Sequence, residues 1–376
     1  MRIVLTGGGT GGHFFPLIAV AEEIRALARE RRLIEPQLFF FAPEPYDAAL
    51  LAKYAIIFVK IPAGKVRLYA DRRNITDFFR TLWGTKKALA LLFWYYPDVV
   101  FAKGGFGSIP TLLAAHILNI PVVIHESDSV PGRANRLAGR FARRIAVSWR
   151  DAAEFFPSEK TAWTGHPVRR ALREPVDQTA ARAFLKLEPD IPIIFVLGGS
   201  QGAQKINELI LQTLPQLVER YQIIHQTGVE HLAEMSARAD VILSANSHAS
   251  RYRPFAFLNE HALAMAASVA TLAVSRAGST IFEIAGWGIP SIIIPITESN
   301  GDHQRKNAYA YAESGAAAVL EEANLSPTLL LAEIRKIMED SAHAAAMSAA
   351  ARTFNNPRAA RTIAEKLVEI GLSHES

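Results

Sequence analysis

Short, continuously apolar runs alternate with helix-length segments along the whole chain, and this alternation limits its fold more than any other feature. Ile3–Thr6, Leu38–Ala42, Val99–Ala102 and Val122–His125 read as strands in the first half. Ile193–Leu197, Gln222–Gln226, Leu272–Val274 and Ser291–Pro295 do so in the second. Runs without a polar face suit strands covered by helices on both sides. Strands separated by helices imply parallel sheets and a doubly wound α/β fold. At 376 residues the chain is long for one domain. The pattern restarts near Pro192, after the Pro- and Arg-rich passage 165–175, which reads as a link between two domains. Asn356 and Pro357 mark a late helix start, and Gly371 its expected end. Ala359, Ile363, Leu367 and Ile370 share one face of that helix, so it is expected to cross back and pack on the first domain. The expected boundaries are 1–165 plus 357–376 for one domain and 166–356 for the other.

Composition narrows the function classes. Half of the residues are apolar, enough for two cores. The absence of cysteine excludes disulfides, thiolate metal sites and a cysteine nucleophile. A net charge of +5 is modest, and no nucleic-acid partner is expected. The longest apolar runs, Ala88–Tyr96 and Ala262–Val274, fall short of the roughly 20 residues of a membrane span. The opening residues read as a strand entering a turn rather than a signal peptide. A soluble or peripheral protein is expected.

Three glycine-rich turns follow strands. Gly7-Gly8-Gly9-Thr10-Gly11-Gly12-His13 lies between the first strand and a helix, where glycines admit a ligand and the helix start attracts anions. Gly7, Gly9 and Gly12 have the dinucleotide spacing, but no acidic residue ends the second strand at the distance that fingerprint expects, since Glu44 lies farther on. Lys103-Gly104-Gly105-Phe106-Gly107-Ser108 and Gly198-Gly199-Ser200-Gln201-Gly202 are the other two. Each alone could be a tight strand–helix turn without a ligand; three in one chain point to phosphate or sugar binding.

The segment Lys65–Lys87 carries seven basic residues against Asp71 and Asp77. Ile75, Phe78, Phe79, Leu82 and Trp83 recur at helical spacing within it. Such a stripe can lie in a membrane interface, with the basic residues on an anionic phospholipid surface, or can face the core.

Gly8–His13, Gly104-Gly105-Phe106, His125-Glu126, Gly165-His166-Pro167-Val168-Arg169, Gly198–Ala203, Arg276-Ala277-Gly278-Ser279 and Asp302-His303-Gln304 occur in the order of the MurG family, which this chain resembles from first strand to last helix. The resemblance implies a GT-B fold, with two Rossmann-like doubly wound domains facing a cleft. It implies inverting transfer of GlcNAc from UDP-GlcNAc to the 4-hydroxyl of the MurNAc-pentapeptide of lipid I, giving lipid II for peptidoglycan. The first domain would hold the lipid-linked acceptor and dock to the membrane, and the second would bind UDP-GlcNAc. A peripheral place on the cytoplasmic face of the bacterial membrane follows, and the lipid-linked acceptor favours the membrane reading of the stripe. Phe106 stands where the family often has Tyr, and Asp128 where it usually has Asn.

The chemistry asks for a base on the acceptor and for charge stabilisation on the leaving diphosphate. No D-x-D motif occurs, so no metal or other cofactor is expected, and helix starts with fixed donors would stabilise the diphosphate. His13 is the first candidate base, since imidazole titrates near neutrality. Glu126 and Asp128 are its rivals. The resemblance puts Ser200, Gln201 and Gly202 at the diphosphate, Arg169 and Leu258 at uracil, Glu283 on the ribose hydroxyls and Gln304, with His303, on the sugar. Thr10, Gly11, Gly12, Asp128, Asn135, Asn207, Arg276, Gly278 and Ser279 complete the substrate positions, and Gly104, Gly105, Phe106 and His125 the acceptor side. Bland rivals exist: His13 as a histidine hydrogen-bonded to the helix start, Arg169 as an interdomain ion pair, Thr280 with Glu283 as a capping box, and the stretch Asn300–His303 as a polar loop. Two other functions use the same features, a UDP-GlcNAc 2-epimerase and a noncatalytic nucleotide-sugar-binding membrane scaffold. The epimerase would not need the amphipathic segment. The scaffold would be favoured by loss of His13 and Gln304, which are present.

Overall fold

The computed structural model describes residues 1–65, 72–198, 203–297 and 302–375. It divides into two compact units, Met1–Arg169 with Asn356–Ser376, and Arg170–Asn355. Unit 1 is built on seven strands: β1 (Arg2–Thr6), β2 (Gln37–Ala42), β3 (Ile56–Lys60), β4 (Val99–Ala102), β5 (Val122–Glu126), β6 (Arg144–Val147) and β7 (Thr161–Trp163). Their order is β3-β2-β1-β4-β5-β6-β7, with every neighbouring pair parallel. The chain winds one way from β1 to β3 and the other way from β4, so β1 and β4 flank a switch point where loops part and ligands bind in such sheets. The helices are α1 (Gly11–Glu30), α2 (Ala48–Lys53), α3 (Arg73–Tyr95), α4 (Ile109–Ile117) and α5 (Arg133–Ala138).

Helix α3 packs on α4 with its polar and small residues inward: Asp77, Gly84, Thr85, Ala88 and Leu92 are buried. A Cβ at Gly84 would sit 1.8 Å from the Pro62 carbonyl oxygen, so the close approach requires glycine. The apolar stripe therefore faces out. Ile75, Phe78, Phe79, Leu82 and Trp83 are all exposed, and so are Phe93 and Trp94 farther along the helix.

Unit 2 holds β8 (Ile193–Leu197), β9 (Gln222–Gln226), β10 (Tyr252–Phe255), β11 (Leu272–Ser275), β12 (Ser291–Ile293) and β13 (Ala317–Val319), ordered β10-β9-β8-β11-β12-β13 and again all parallel. Its switch point lies between β8 and β11. The helices are α6 (Gln178–Leu185), α7 (Gln204–Leu217), α8 (Leu232–Ile242), α9 (Glu260–Val269), α10 (Thr280–Trp287), α11 (His303–Glu313), α12 (Pro327–Met338) and α13 (Ser341–Phe354). Side chains of Asp177, Asn259, Ser326 and Asp340 cap four of them by accepting a first-turn N–H.

The last helix, α14 (Ala359–Glu375), belongs to unit 1 and packs on α1. Ile363, Leu367, Val368 and Ile370 join the core with Ile18, Val20 and Leu27. Burying such side chains contributes about 1.5–3 kcal/mol each. Arg361 adds ion pairs to Glu30 and Glu365. The helix runs past Gly371, against the expectation of a stop there. A Cβ at that position would lie 2.5 Å from Met1 Sδ, so the glycine makes room for the chain start. Asn356 accepts from Arg358 N–H and donates to the Thr164 carbonyl, forming a turn just before the helix.

Candidate active site

The switch point of unit 1 gathers the first two glycine turns and the end of β5. Gly104 and Gly105 have φ of 82° and 78°. A Cβ on Gly104 would meet Asn135 Nδ2 at 2.8 Å, and one on Gly105 the Gly8 carbonyl oxygen at 2.9 Å. The same position on Gly105 is 3.5 Å from His13 Cε1, which puts His13 beside the second glycine turn. His13 lies in the first turn of α1, partly exposed, with Nδ1 2.9 Å from Thr10 Oγ1. Thr10, the N-cap residue, thus orients the imidazole instead of capping by its side chain. Phe106 packs by Gly9 and under the Lys65 ammonium, 5.4 Å from its ring centre.

Behind these loops lies a buried polar cluster. Lys103 is 1% exposed, and its Nζ is 2.5 Å from His125 Nδ1 and bonded to Ser127 Oγ. His125 Nε2 is 3.0 Å from the Gly165 carbonyl oxygen. Ser148 Oγ lies 3.1 Å from His166 Nδ1. Burial, and then the charge of Lys103, holds both histidines neutral, well below the usual imidazole range. Burial brings Lys103 down to about 7, opposed by Glu126 and Asp128. Glu126 is pushed up by burial and then by Asp128, against its hydrogen bonds.

These contacts define the surroundings of several expected site residues. Glu126 accepts from the N–H groups of Ser127, Asp128 and Gly132 and from Asn135 Nδ2, at 2.7–3.0 Å. A buried carboxylate with four donors organises its loop. Asn135 also donates to the His125 carbonyl and is buried, so it ties that loop to β5. His125 is fully buried with both ring nitrogens engaged. Asp128 is partly exposed on the loop that Glu126 holds, and His13 and Asp128 are the two partly exposed acid–base groups here. Arg169 is buried with its guanidinium 4.1 Å from the centre of the Phe15 ring, within unit 1.

In unit 2 the polar groups are locked by one another. Asn207 donates to the Thr227 carbonyl and bonds His225 Nε2 at 3.0 Å, while His225 Nδ1 meets Tyr252 Oη at 3.0 Å. Burial lowers His225 to about 3. Asn207 is therefore internal scaffolding of the sheet. Arg276 donates to the Ile294 carbonyl and to Glu322, 2.6 Å away. Burial would raise the Glu322 carboxyl, but Arg276 and Thr297 hold it at about 2. The Leu258 N–H goes to Gln226, and Gln304 Oε1 accepts from Ile296 N–H. Helix α10 begins at Thr280 with Ser279 as its N-cap, so Thr280 and Glu283 do not form the capping box. Gly278 faces open space: a Cβ there would have no neighbouring atom within 4 Å. Glu283 lies in the first turn of α10 and His303 opens α11. Ser200, Gln201 and Gly202 lie outside the described residues. No cluster of three potential metal ligands occurs among the described residues.

Sequence reasoning missed Lys103, Ser148, His225 and Glu322. Lys103 directly follows a strand buried along its length, but its partners lie far along the chain.

Two units, each a parallel sheet with helices and a topological switch point, are the architecture of nucleotide-binding α/β proteins. The glycosyltransferase family 28 N-terminal domain model matches residues 3–147, and the family 28 C-terminal domain model matches residues 193–363. A UDP-N-acetylglucosamine--N-acetylmuramyl-(pentapeptide) pyrophosphoryl-undecaprenol N-acetylglucosamine transferase from Geobacter sulfurreducens is 35% identical, with 98% of each chain covered. One of the same name from Shouchella clausii is 37% identical over 89% of this chain and 90% of its own. The crystal structure of Acinetobacter baumannii MurG matches with a TM-score of 0.72 at 26% identity, covering 98% of this chain and 99% of that one. The chain belongs to the MurG family of glycosyltransferase family 28. A UDP-GlcNAc 2-epimerase from Neisseria meningitidis, 14% identical with a TM-score of 0.69, shares the fold alone.

Proposed function

We propose that this chain transfers GlcNAc from UDP-GlcNAc to the 4-hydroxyl of a polyprenyl-diphosphate-linked MurNAc-pentapeptide, with inversion at the anomeric carbon. The observation that carries this is the 35% identity along 98% of both chains with a transferase of that name. Unit 2 is assigned the donor: the start of α10, with Gly278, Ser279 and Glu283, receives the nucleotide, and Gln304 and His303 stand nearby in sequence order for the sugar. Donors at helix starts can stabilise the leaving diphosphate without a metal.

Unit 1 is assigned the acceptor. His13 takes the proton of the attacking hydroxyl, and its bond to Thr10 fixes the ring for that task. Asp128 lines the same loop system and contacts the transferred sugar. The exposed stripe of α3 supports docking to an anionic phospholipid surface on the cytoplasmic face, where the lipid-linked acceptor would be met. Its aromatic residues would enter the interface, and Arg72, Arg73, Arg80, Lys86 and Lys87 would meet headgroups. No helix among the described residues is long and apolar enough to cross a membrane.

The test is transfer of labelled GlcNAc from UDP-GlcNAc to lipid I in detergent with EDTA present. Formation of a labelled disaccharide lipid is expected. Release of an epimerised sugar, or transfer that stops with EDTA and returns only with one metal, would refute this reading.

A further inference from the structure

Lys103 directly follows β4 in the centre of the unit 1 sheet, where a charged side chain is held only if partners replace its water. The Gly165 carbonyl can only accept, so His125 Nε2 carries the ring proton and Nδ1 presents its lone pair to Lys103 Nζ. A second N–H of the ammonium goes to Ser127 Oγ. Glu126 takes its four donors elsewhere on its loop, so the direct grip of Lys103 is on Ser127, the residue before Asp128. Trp149 fixes the same residue from the other side by donating to its carbonyl at 2.8 Å. Asp128 is thus the partly exposed end of a chain that begins at a buried cation and passes through one anchored serine.

We propose that Lys103 is a positioning residue for transfer: its ammonium, seated on His125 and Ser127, holds the 127–128 turn and keeps the Asp128 carboxylate set as a hydrogen-bond acceptor for the sugar being transferred. This rests on the transferase reading above. A carboxylate at this place offers acceptor oxygens and no donor, so the position of the turn decides which sugar hydroxyl it meets. The groups facing Lys103 are His125 and Glu126 from β5, Asp128 beyond it and His166 after β7, with His13 acting on His166 from α1. Two of these histidines are already neutral. Lys103 itself, brought to about 7 by burial, loses its charge as pH rises through that value, and transfer should fall on that alkaline side.

Lys103→Met should lower kcat/KM for UDP-GlcNAc by about tenfold or more, remove the alkaline limb near pH 7 and leave UDP affinity unchanged. Asp128→Ala should cost at least as much, and the double variant should match Asp128→Ala alone, because the side chain that the cation positions is then gone. Ser127→Ala should speed amide exchange across 127–132 in the absence of any substrate, with a smaller loss of turnover. Additive losses in the double variant, or an alkaline limb that survives Lys103→Met, would overturn the proposal. Unchanged exchange and turnover in Ser127→Ala would overturn it even if Lys103→Met fails to fold. A wild-type chain that transfers no GlcNAc would refute the transferase reading instead, while the exchange data would still judge the anchoring.

Discussion

The two switch points share a topology and differ in their electrostatics. In unit 1 a lysine, two histidines and a glutamate are buried together around one strand end, and their proton affinities are displaced by burial and by each other. In unit 2 the corresponding groups are paired off. Arg276 neutralises Glu322, and Asn207 and Tyr252 satisfy a neutral His225. The first arrangement is fit for handling protons, because small changes alter who is charged. The second is fit for presenting fixed donors and a rigid helix start. The contrast fits the proposed division of labour, with acceptor chemistry assigned to unit 1 and nucleotide recognition to unit 2.

The largest expected effect comes from breaking the unit 1 side. His13→Ala should lower turnover by about 10²–10⁴ while UDP affinity holds, as expected for loss of a general base. If UDP affinity falls and single-turnover transfer does not, His13 serves the donor and the division fails.

Next in size is the surface of unit 1. Phe79→Ser with Trp83→Ser should weaken binding to anionic vesicles by about tenfold to a hundredfold, since each exposed aromatic adds interfacial burial. Flotation with and without salt measures this, and UDP affinity serves as the control. Vesicle binding that is unchanged would move the docking surface elsewhere.

The smallest effect separates the units by acid stability. His125 and His166 are neutral in folded unit 1, and His225 in folded unit 2. In the unfolded chain each binds a proton near pH 6.5. The unfolded state therefore binds more protons below that pH. The stability present above it is lost as pH falls, at about 1.4 kcal/mol per pH unit for each histidine. Unit 1 carries two such histidines and should open first, as read by pulse proteolysis between pH 6.5 and 4.5. Earlier opening of unit 2 would contradict this assignment.

Much of this was legible in the sequence, for identifiable reasons. The central strands β1, β4, β8 and β9 are buried along almost their whole length, so their apolar runs stand out. Edge strands do not: β3 is half exposed, and β7 and β13 have three residues each. Helical periodicity found the α3 stripe but could not tell inside from outside, because small and polar residues form its buried face. Glycine turns marked both switch points. The burial of Lys103 was not legible, since the groups that replace its water lie 22 and 24 residues on. The same holds for Arg276, whose partner Glu322 comes 46 residues later. Charged residues in loops read as ligand contacts until their partners are placed.

The most direct test of the division of labour is amide hydrogen exchange of the full chain with and without UDP. Protection should appear at 276–284 and around 303–307 in unit 2, with 7–13, 103–108 and 125–135 in unit 1 unchanged. Protection confined to the glycine turns of unit 1, with 276–284 unaffected, would contradict the account.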